Sequence, residues 1–202
     1  VDYEALLRNG ELSPYFHATR PPGLQVLLGL AEAVSRHLPG LEGDRLRRLA
    51  TLAALLFPLV GYAAVIPLYG LLRRVDSRPT AWTAAALFVS APSVTLIALH
   101  ADHYLHPLLG LVFLYLATRA LQAGELVSAL LAGFVFYLGL WVSFALVALA
   151  AVVPALAWSV GRTDPAASRR RLGVAAALGF AIPYLLFLSV GYDAGSRFVG
   201  AM

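Results

Sequence analysis

Six hydrophobic runs follow one another from residue 49 nearly to the end of the chain, and they restrict the fold more than any other feature. They are Leu49–Leu72, Thr80–Leu99, Tyr104–Leu121, Leu126–Leu140, Phe144–Val160 and Leu172–Tyr192. A helix needs roughly 20 apolar residues to cross the hydrocarbon core of a bilayer, and most of these runs approach that length. Composition points the same way: 60% of the residues are hydrophobic and the mean hydropathy is +0.77. A soluble domain is roughly half apolar. The expected fold is all-α, a polytopic transmembrane helical bundle with about six crossings. The stretch Leu126–Val160 is too long for one crossing. A break near Gly139–Ser143 makes it a tight helical hairpin, and a single long tilted helix is the alternative.

Leu24–Leu38 differs from the runs that follow. Gln25, Gly29, Glu32 and Arg36 recur at spacings of three and four, largely opposite Leu27, Leu28, Leu30, Val34 and Leu38. A helix of that pattern, only about fifteen residues long, lies in the interface more comfortably than it spans. Arginine distribution then sets the orientation. The connections Arg73–Arg78, Arg119–Glu125 and Arg162–Arg171 hold eight Arg against Asp76, Glu125 and Asp164, whereas Ala101–His103 and Trp141–Ser143 hold none. Positive charge favours the cytoplasmic side, so residues 1–48 face outward. Arg45, Arg47 and Arg48 oppose this assignment, softened by Glu42 and Asp44. The chain therefore divides into 1–48, an extracytoplasmic loop with short juxtamembrane helices, and 49–202, the transmembrane helical domain. Within the loop, Tyr3–Arg8 reads as a helix closed by Asn9-Gly10, followed by an extended Ser13–Pro22.

Several classes of chemistry are excluded. No Cys is present, which rules out disulfides and thiolate metal sites. All fifteen basic residues are Arg, so no lysine-dependent mechanism operates within this stretch. The formal charge of +4 is spread along the chain without a basic tract, and nucleic acid is not an expected partner. With no initiator Met, signal peptide or N-terminal positive region, the chain is expected to be a piece of a longer membrane protein.

Two clusters on the outer side can carry chemistry. In His17-Ala18-Thr19-Arg20-Pro21-Pro22-Gly23, two consecutive prolines impose a rigid extended backbone beside the membrane. The Arg20 guanidinium is then held where an anionic headgroup or phosphate can meet it; an interfacial Arg anchor with a proline helix start is the plainer reading. In His100-Ala101-Asp102-His103-Tyr104-Leu105-His106, an acid and three His sit at the outer turn between two hydrophobic helices. Ionisable groups at membrane depth are costly and are functional candidates by default. Asp102 can orient a sugar hydroxyl or tune a base, and His103 and His106, three apart, share a face if the turn is helical. A divalent metal is not expected, because no second acidic ligand lies nearby in the sequence. Asp2 and Glu4 are possible general bases or simply solvated charges. Trp141 and Ser143 face the same compartment, with Trp141 reading as an interfacial belt aromatic.

The order of these pieces carries a resemblance: an outer short helix, “RPPG”, a flat helix, “RLRRLATLAALL”, “LLRRVDSRPTAWTAAALFVSAPSV”, “LHADHYLHPLL”, “YLATRAL” and “SALLAGFVFYLGLWVSF”. Over nearly the whole chain the pattern resembles the membrane-embedded GT-C glycosyltransferases, especially the superfamily of protein O-mannosyltransferases and lipid A aminoarabinose transferases. The resemblance implies an integral protein of the cell envelope, in a bacterial plasma membrane, that transfers a sugar from a polyprenyl-phosphate donor without a metal cofactor. It implies that Arg20, with Pro21, Pro22 and the adjacent His17, meets the donor phosphate, and that Asp102 matches the second outer acid, with His103 and His106 beside it. Arg stands where Lys or His is more usual, and Trp141-Val142-Ser143 replaces a basic residue at the outer hairpin turn. The family's first-loop Asp lies further upstream of a pattern like Gly10–Pro14 than Asp2 does. The catalytic Asp is thus expected before residue 1, with Asp2 standing in for it here. Two other classes stay open: a secondary transporter or flippase-like carrier, and a non-catalytic subunit of the same fold. The acids at the outer surface and the lack of an inverted repeat favour the enzyme over the carrier.

Overall fold

In the computed structural model, which describes residues 23–37, 45–91, 105–160, 166–189, 191–193 and 195–196, the hydrophobic runs fold as helices, and no strand occurs among the described residues. In chain order they are α1 (Gly23–Ser35), α2 (Arg45–Ala63), α3 (Val65–Val75), α4 (Arg78–Ser90), α5 (Leu105–Ala123), α6 (Leu126–Val142), a 3-10 turn at Phe144–Ala148, α7 (Leu149–Val160) and α8 (Ala166–Ser189). Among the described residues, three segments are long and apolar enough to cross a membrane: Ala50–Val75, Leu105–Ala123 and Ser168–Ser189. Leu126–Val142 and Phe144–Trp158 are shorter apolar helices.

Local chemistry explains the boundaries. The run expected as one helix over Leu49–Leu72 is interrupted at Ala64. Pro67 has no N–H for the carbonyl of Ala63, so the helical ladder loses a rung there. At the interruption the Ala64 amide donates to Gly61 O at 3.2 Å, and the Leu68 amide donates to Ala64 O at 3.2 Å. Ser77 opens α4 by accepting from the Thr80 amide at 3.4 Å, with Pro79 in the first turn, where a missing N–H costs nothing. Between α5 and α6, Gly124 takes a positive φ of 65°. Arg119 then grips Glu125 (Nε to Oε2, 2.8 Å), and Ser128 Oγ donates to the same carboxylate at 2.8 Å. The Leu126–Val160 stretch breaks at Ser143, whose Oγ caps the 3-10 turn by accepting from the Ala145 amide at 3.3 Å. The stretch is therefore broken where a break was expected and is not a single long helix.

Packing centres on α6, which runs alongside α8 and antiparallel to α5. At the α6–α8 crossing a Cβ on Gly133 would collide with the backbone of Ala176 and Phe180, and one on Gly179 with the backbone of Leu130. Ala129-x-x-x-Gly133 and Ala175-x-x-x-Gly179 thus form paired small-residue seams that bring two backbones together, the packing mode typical of helices in lipid. Alanine leads the buried hydrophobic set, with Ala64, Ala81, Ala85, Ala117, Ala120, Ala129, Ala132 and Ala175 beside Leu52, Phe113, Tyr137, Val142, Leu172 and Tyr192. Many other large side chains point outward, with Ile66, Val127 and Trp158 each 70% exposed or more. This inverted distribution is compatible with lipid around the bundle and costly in water.

α1 meets one expectation and alters another. Its 13 residues span about 20 Å, too short for a core of about 30 Å. Its inward stripe, however, is buried Gly23 and Ser35 with half-buried Leu27 and Ala31 between them, at intervals of four, while Val26, Leu30 and Val34 are exposed. α1 packs on α2 and α6, with Gly23 seated against Trp141. The expected helix at Tyr3–Arg8, the extended Ser13–Pro22 and the second half of the Thr80–Leu99 run lie outside the described residues.

Candidate functional site

The two ends of the bundle differ in chemistry. Where α3 and α5 end and α6 and α8 begin, the described residues include Arg73, Arg74, Arg78, Arg119 and Arg169–Arg171 against Asp76 and Glu125. Contacts here join helix ends: Gln122 Nε2 donates to Arg74 O at 3.2 Å, and the Arg74 guanidinium lies 5.3 Å from the Tyr115 ring centroid. Glu125 is held below the usual carboxylate range, chiefly by the hydrogen bond from Arg119 and next by Ser128. These contacts tie the α5–α6 turn in place.

The opposite end is aromatic. Tyr137 is 1% exposed and packs on Phe180 (5.4 Å), Phe187 (5.8 Å) and Tyr184 (6.2 Å). One turn on, Trp141 meets Phe187 at 5.1 Å. The spacings Tyr137–Trp141 and Phe180–Tyr184–Phe187 place each set on one helical face, so the parallel α6 and α8 turn aromatic stripes toward each other. The end of α8 is closed by a Schellman motif. Gly191, at φ 85°, donates to Leu188 O at 3.0 Å, and the Tyr192 amide reaches back to Phe187 O at 2.9 Å. That turn presents Asp193, whose Oδ1 accepts from Tyr184 Oη at 3.0 Å and from the Gly195 amide at 2.9 Å.

These bonds favour the charged carboxylate. Asp193 is held below the ordinary range chiefly by the Tyr184 hydroxyl, with partial burial opposing and the Gly195 amide assisting. A carboxylate lowered in the folded state contributes stability that is fully present above its unfolded pKa and is lost as pH falls through the folded value. Tyr184→Phe removes the main cause, so the variant should be less stable than the wild type above the unfolded carboxylate pKa, and the difference should shrink as pH falls through the folded value. A scan of thermal stability from about pH 5 down to about pH 2 checks this; superimposable curves would detach Tyr184 from the ionisation of Asp193.

Of the residues singled out in the sequence, Asp2, Glu4, His17, Arg20, Pro21, Pro22, His100, Asp102 and His103 lie outside the described residues. His106 is the second residue of α5 and is half-buried. Trp141 and Ser143 sit at the end of α6 and the start of the 3-10 turn. The described flanks of both motifs come to the aromatic end. Gly23, which follows Pro22 in the chain, packs so closely on Trp141 that a Cβ there would lie 2.8 Å from ring carbon Cε3. Gly110 and Gly139 both face Leu146, which levels the start of α5 with the end of α6 and puts His106 one turn further toward the same end. Tyr137 Oη and Trp141 Nε1 are buried there with no hydrogen-bond partner among the described residues. Buried donors normally have partners, so this end retains capacity for a polar group. No group of three or more His, Asp or Glu suited to a metal ion occurs among the described residues.

The aromatic cluster was not singled out in the sequence. Its signal was present: Tyr and Trp at helical spacing in otherwise aliphatic runs, and an acid directly after Gly191-Tyr192. Comparison of the chain with family models, curated proteins and solved structures finds no match.

Proposed function

We propose that the chain belongs to an integral membrane glycosyltransferase that moves a sugar from a polyprenyl-phosphate donor to an acceptor on the extracytoplasmic side. About six crossings carry it through the membrane, with the arginine-rich end in the cytoplasm and the aromatic end outside. The observation that carries this reading is the convergence at the aromatic end. Gly23, next to the Arg20-Pro21-Pro22 motif, packs on Trp141, and His106, four residues after Asp102, opens α5 at the same level. Two buried donors and an ionised Asp193 lie beside them.

In this reading the acceptor oxygen attacks the anomeric carbon and the bond from that carbon to the phosphate oxygen breaks. Its electron pair leaves with polyprenyl phosphate, and Arg20 stabilises the charge that develops there. Asp102 orients the donor sugar or the acceptor, with His103 and His106 beside it. The acceptor proton passes to the first-loop acid, the role to which Asp2 is nearest in this stretch.

Donor class can be tested by binding, separately from turnover. In detergent, polyprenyl phosphate at about 100 times its dissociation constant should stabilise the full-length protein by about 2.7 kcal/mol. A nucleoside diphosphate sugar at the same concentration should leave the unfolding temperature unchanged. Stabilisation by the nucleotide sugar alone would refute the lipid-linked donor.

A further inference from the structure

Arg169, Arg170 and Arg171 occupy the first two turns of α8, and no charged residue follows until Asp193. Arg169 stands at one end of a cavity of about 550 Å³ between α5, α6, α7 and α8, and it is the only polar residue in the lining. The walls are small side chains, among them Ala120, Ala132, Ala150, Ala157, Gly173 and Ala176. At the far end stand Phe113, Phe136 and Phe180, with Phe136 5.1 Å from Phe113 and 6.0 Å from Phe180. The space along α8 is open, since a Cβ on Gly173 would meet nothing within 4 Å.

Length and charge together specify an occupant. From Arg169 to Phe180 is eleven residues along α8, about 16 Å at the helical rise. Half of a hydrocarbon core of about 30 Å is about 15 Å, so the cavity has the depth of one leaflet. An apolar slot of that depth, walled by Ala and Gly, fits a single hydrocarbon chain. Its mouth is exposed Arg169 beside the positive end of the α8 dipole. Among the described residues that end of the bundle holds seven Arg against Asp76 and Glu125. A guanidinium there offers paired donors to a phosphate diester. A shallower furrow of about 360 Å³ along α8, lined by Leu126, Val174, Ala175 and Leu178, is headed by Arg170 and Arg171 in the same way.

We propose that the larger cavity holds one acyl chain of an anionic phospholipid from the leaflet at the arginine-rich end, with the headgroup phosphate on Arg169. The site is distinct from the proposed transfer site at the aromatic end. It rests on the reading of the chain as a membrane protein and not on transferase chemistry.

The test uses the full-length protein in detergent, with phosphatidylglycerol or phosphatidylcholine added and bound lipid counted by native mass spectrometry. Wild type should retain phosphatidylglycerol about tenfold more strongly than phosphatidylcholine, the effect of one charge-assisted contact. Gly173→Leu fills the slot with a good helix former and should lose the retained lipid while eluting as the wild type does. Arg169→Gln, a surface change, should still retain lipid but without the headgroup preference. Equal retention of both lipids by wild type, or undiminished phosphatidylglycerol on folded Gly173→Leu, would overturn the proposal. So would a slot that takes no lipid, as expected if another protein segment fills it. Extraction of the protein from membranes by alkaline carbonate would instead overturn the membrane reading beneath it, so the two failures are distinguishable.

Discussion

Gly133→Leu should destabilise the protein by about 3 kcal/mol or more, the upper range for overpacking a close-packed site. A Cβ at Gly133 has no side chain to push aside, because what it meets is the backbone of α8 at Ala176 and Phe180. Relief requires the two helices to move apart, which loosens the Ala129–Ala175 contact and the Tyr137–Phe180 stack in one step. Gly173 provides the internal comparison, being also a glycine within an apolar helix but with open space around it. Gly173→Ala should stabilise by up to about 1 kcal/mol through helix propensity, while Gly133→Ala should destabilise. Thermal unfolding of the detergent-solubilised variants reads both. Effects of the same sign at the two positions would contradict the α6–α8 crossing.

Arg20→Ala should lower transfer by about 10²–10³-fold in kcat if the guanidinium stabilises the departing phosphate, the range measured for removal of one transition-state donor. Arg8→Ala, on the same N-terminal segment but outside the proline motif, should stay within about threefold, as a surface charge change would. The contrast matters because both substitutions remove one positive charge. A general electrostatic attraction for an anionic lipid would weaken equally in the two variants, whereas a positioned phosphate contact is lost only in one. Equal activities would take Arg20 out of the mechanism.

The two predictions draw on different sources, which shows what was legible in the sequence. Hydropathy alone located the helical runs, because each describes an entire element, and the Ser143 break followed from length. The interruption at Ala64 had a cue in Pro67, but Pro58, Pro154 and Pro183 lie inside unbroken helices, so a proline alone did not locate it. For α1 the amphipathic pattern was correct about length and misleading about contact. The residues most buried are Gly23 and Ser35, and helices packed in an apolar medium favour such small residues at close approaches. The Tyr137–Tyr184–Asp193 cluster could not be assembled by reading along the chain, since it joins positions 56 residues apart across a parallel helix pair. The slot below Arg169 escaped notice for a related reason: a void has no residue of its own, and only the register of α5, α6, α7 and α8 reveals it. The Arg20 and Asp102 motifs, in contrast, are sequence readings that lie outside the described residues.

The central claim is transfer from a lipid-linked sugar, and direct release of that sugar tests it best. Membranes containing the full-length protein would receive a panel of radiolabelled polyprenyl-phosphate sugars, with Arg20→Ala and Asp102→Asn run in parallel. The account predicts release from one donor of the panel by the wild type, and its loss in both variants at unchanged protein level. Absence of release from every donor by folded wild-type protein, or undiminished release by both variants, would contradict it.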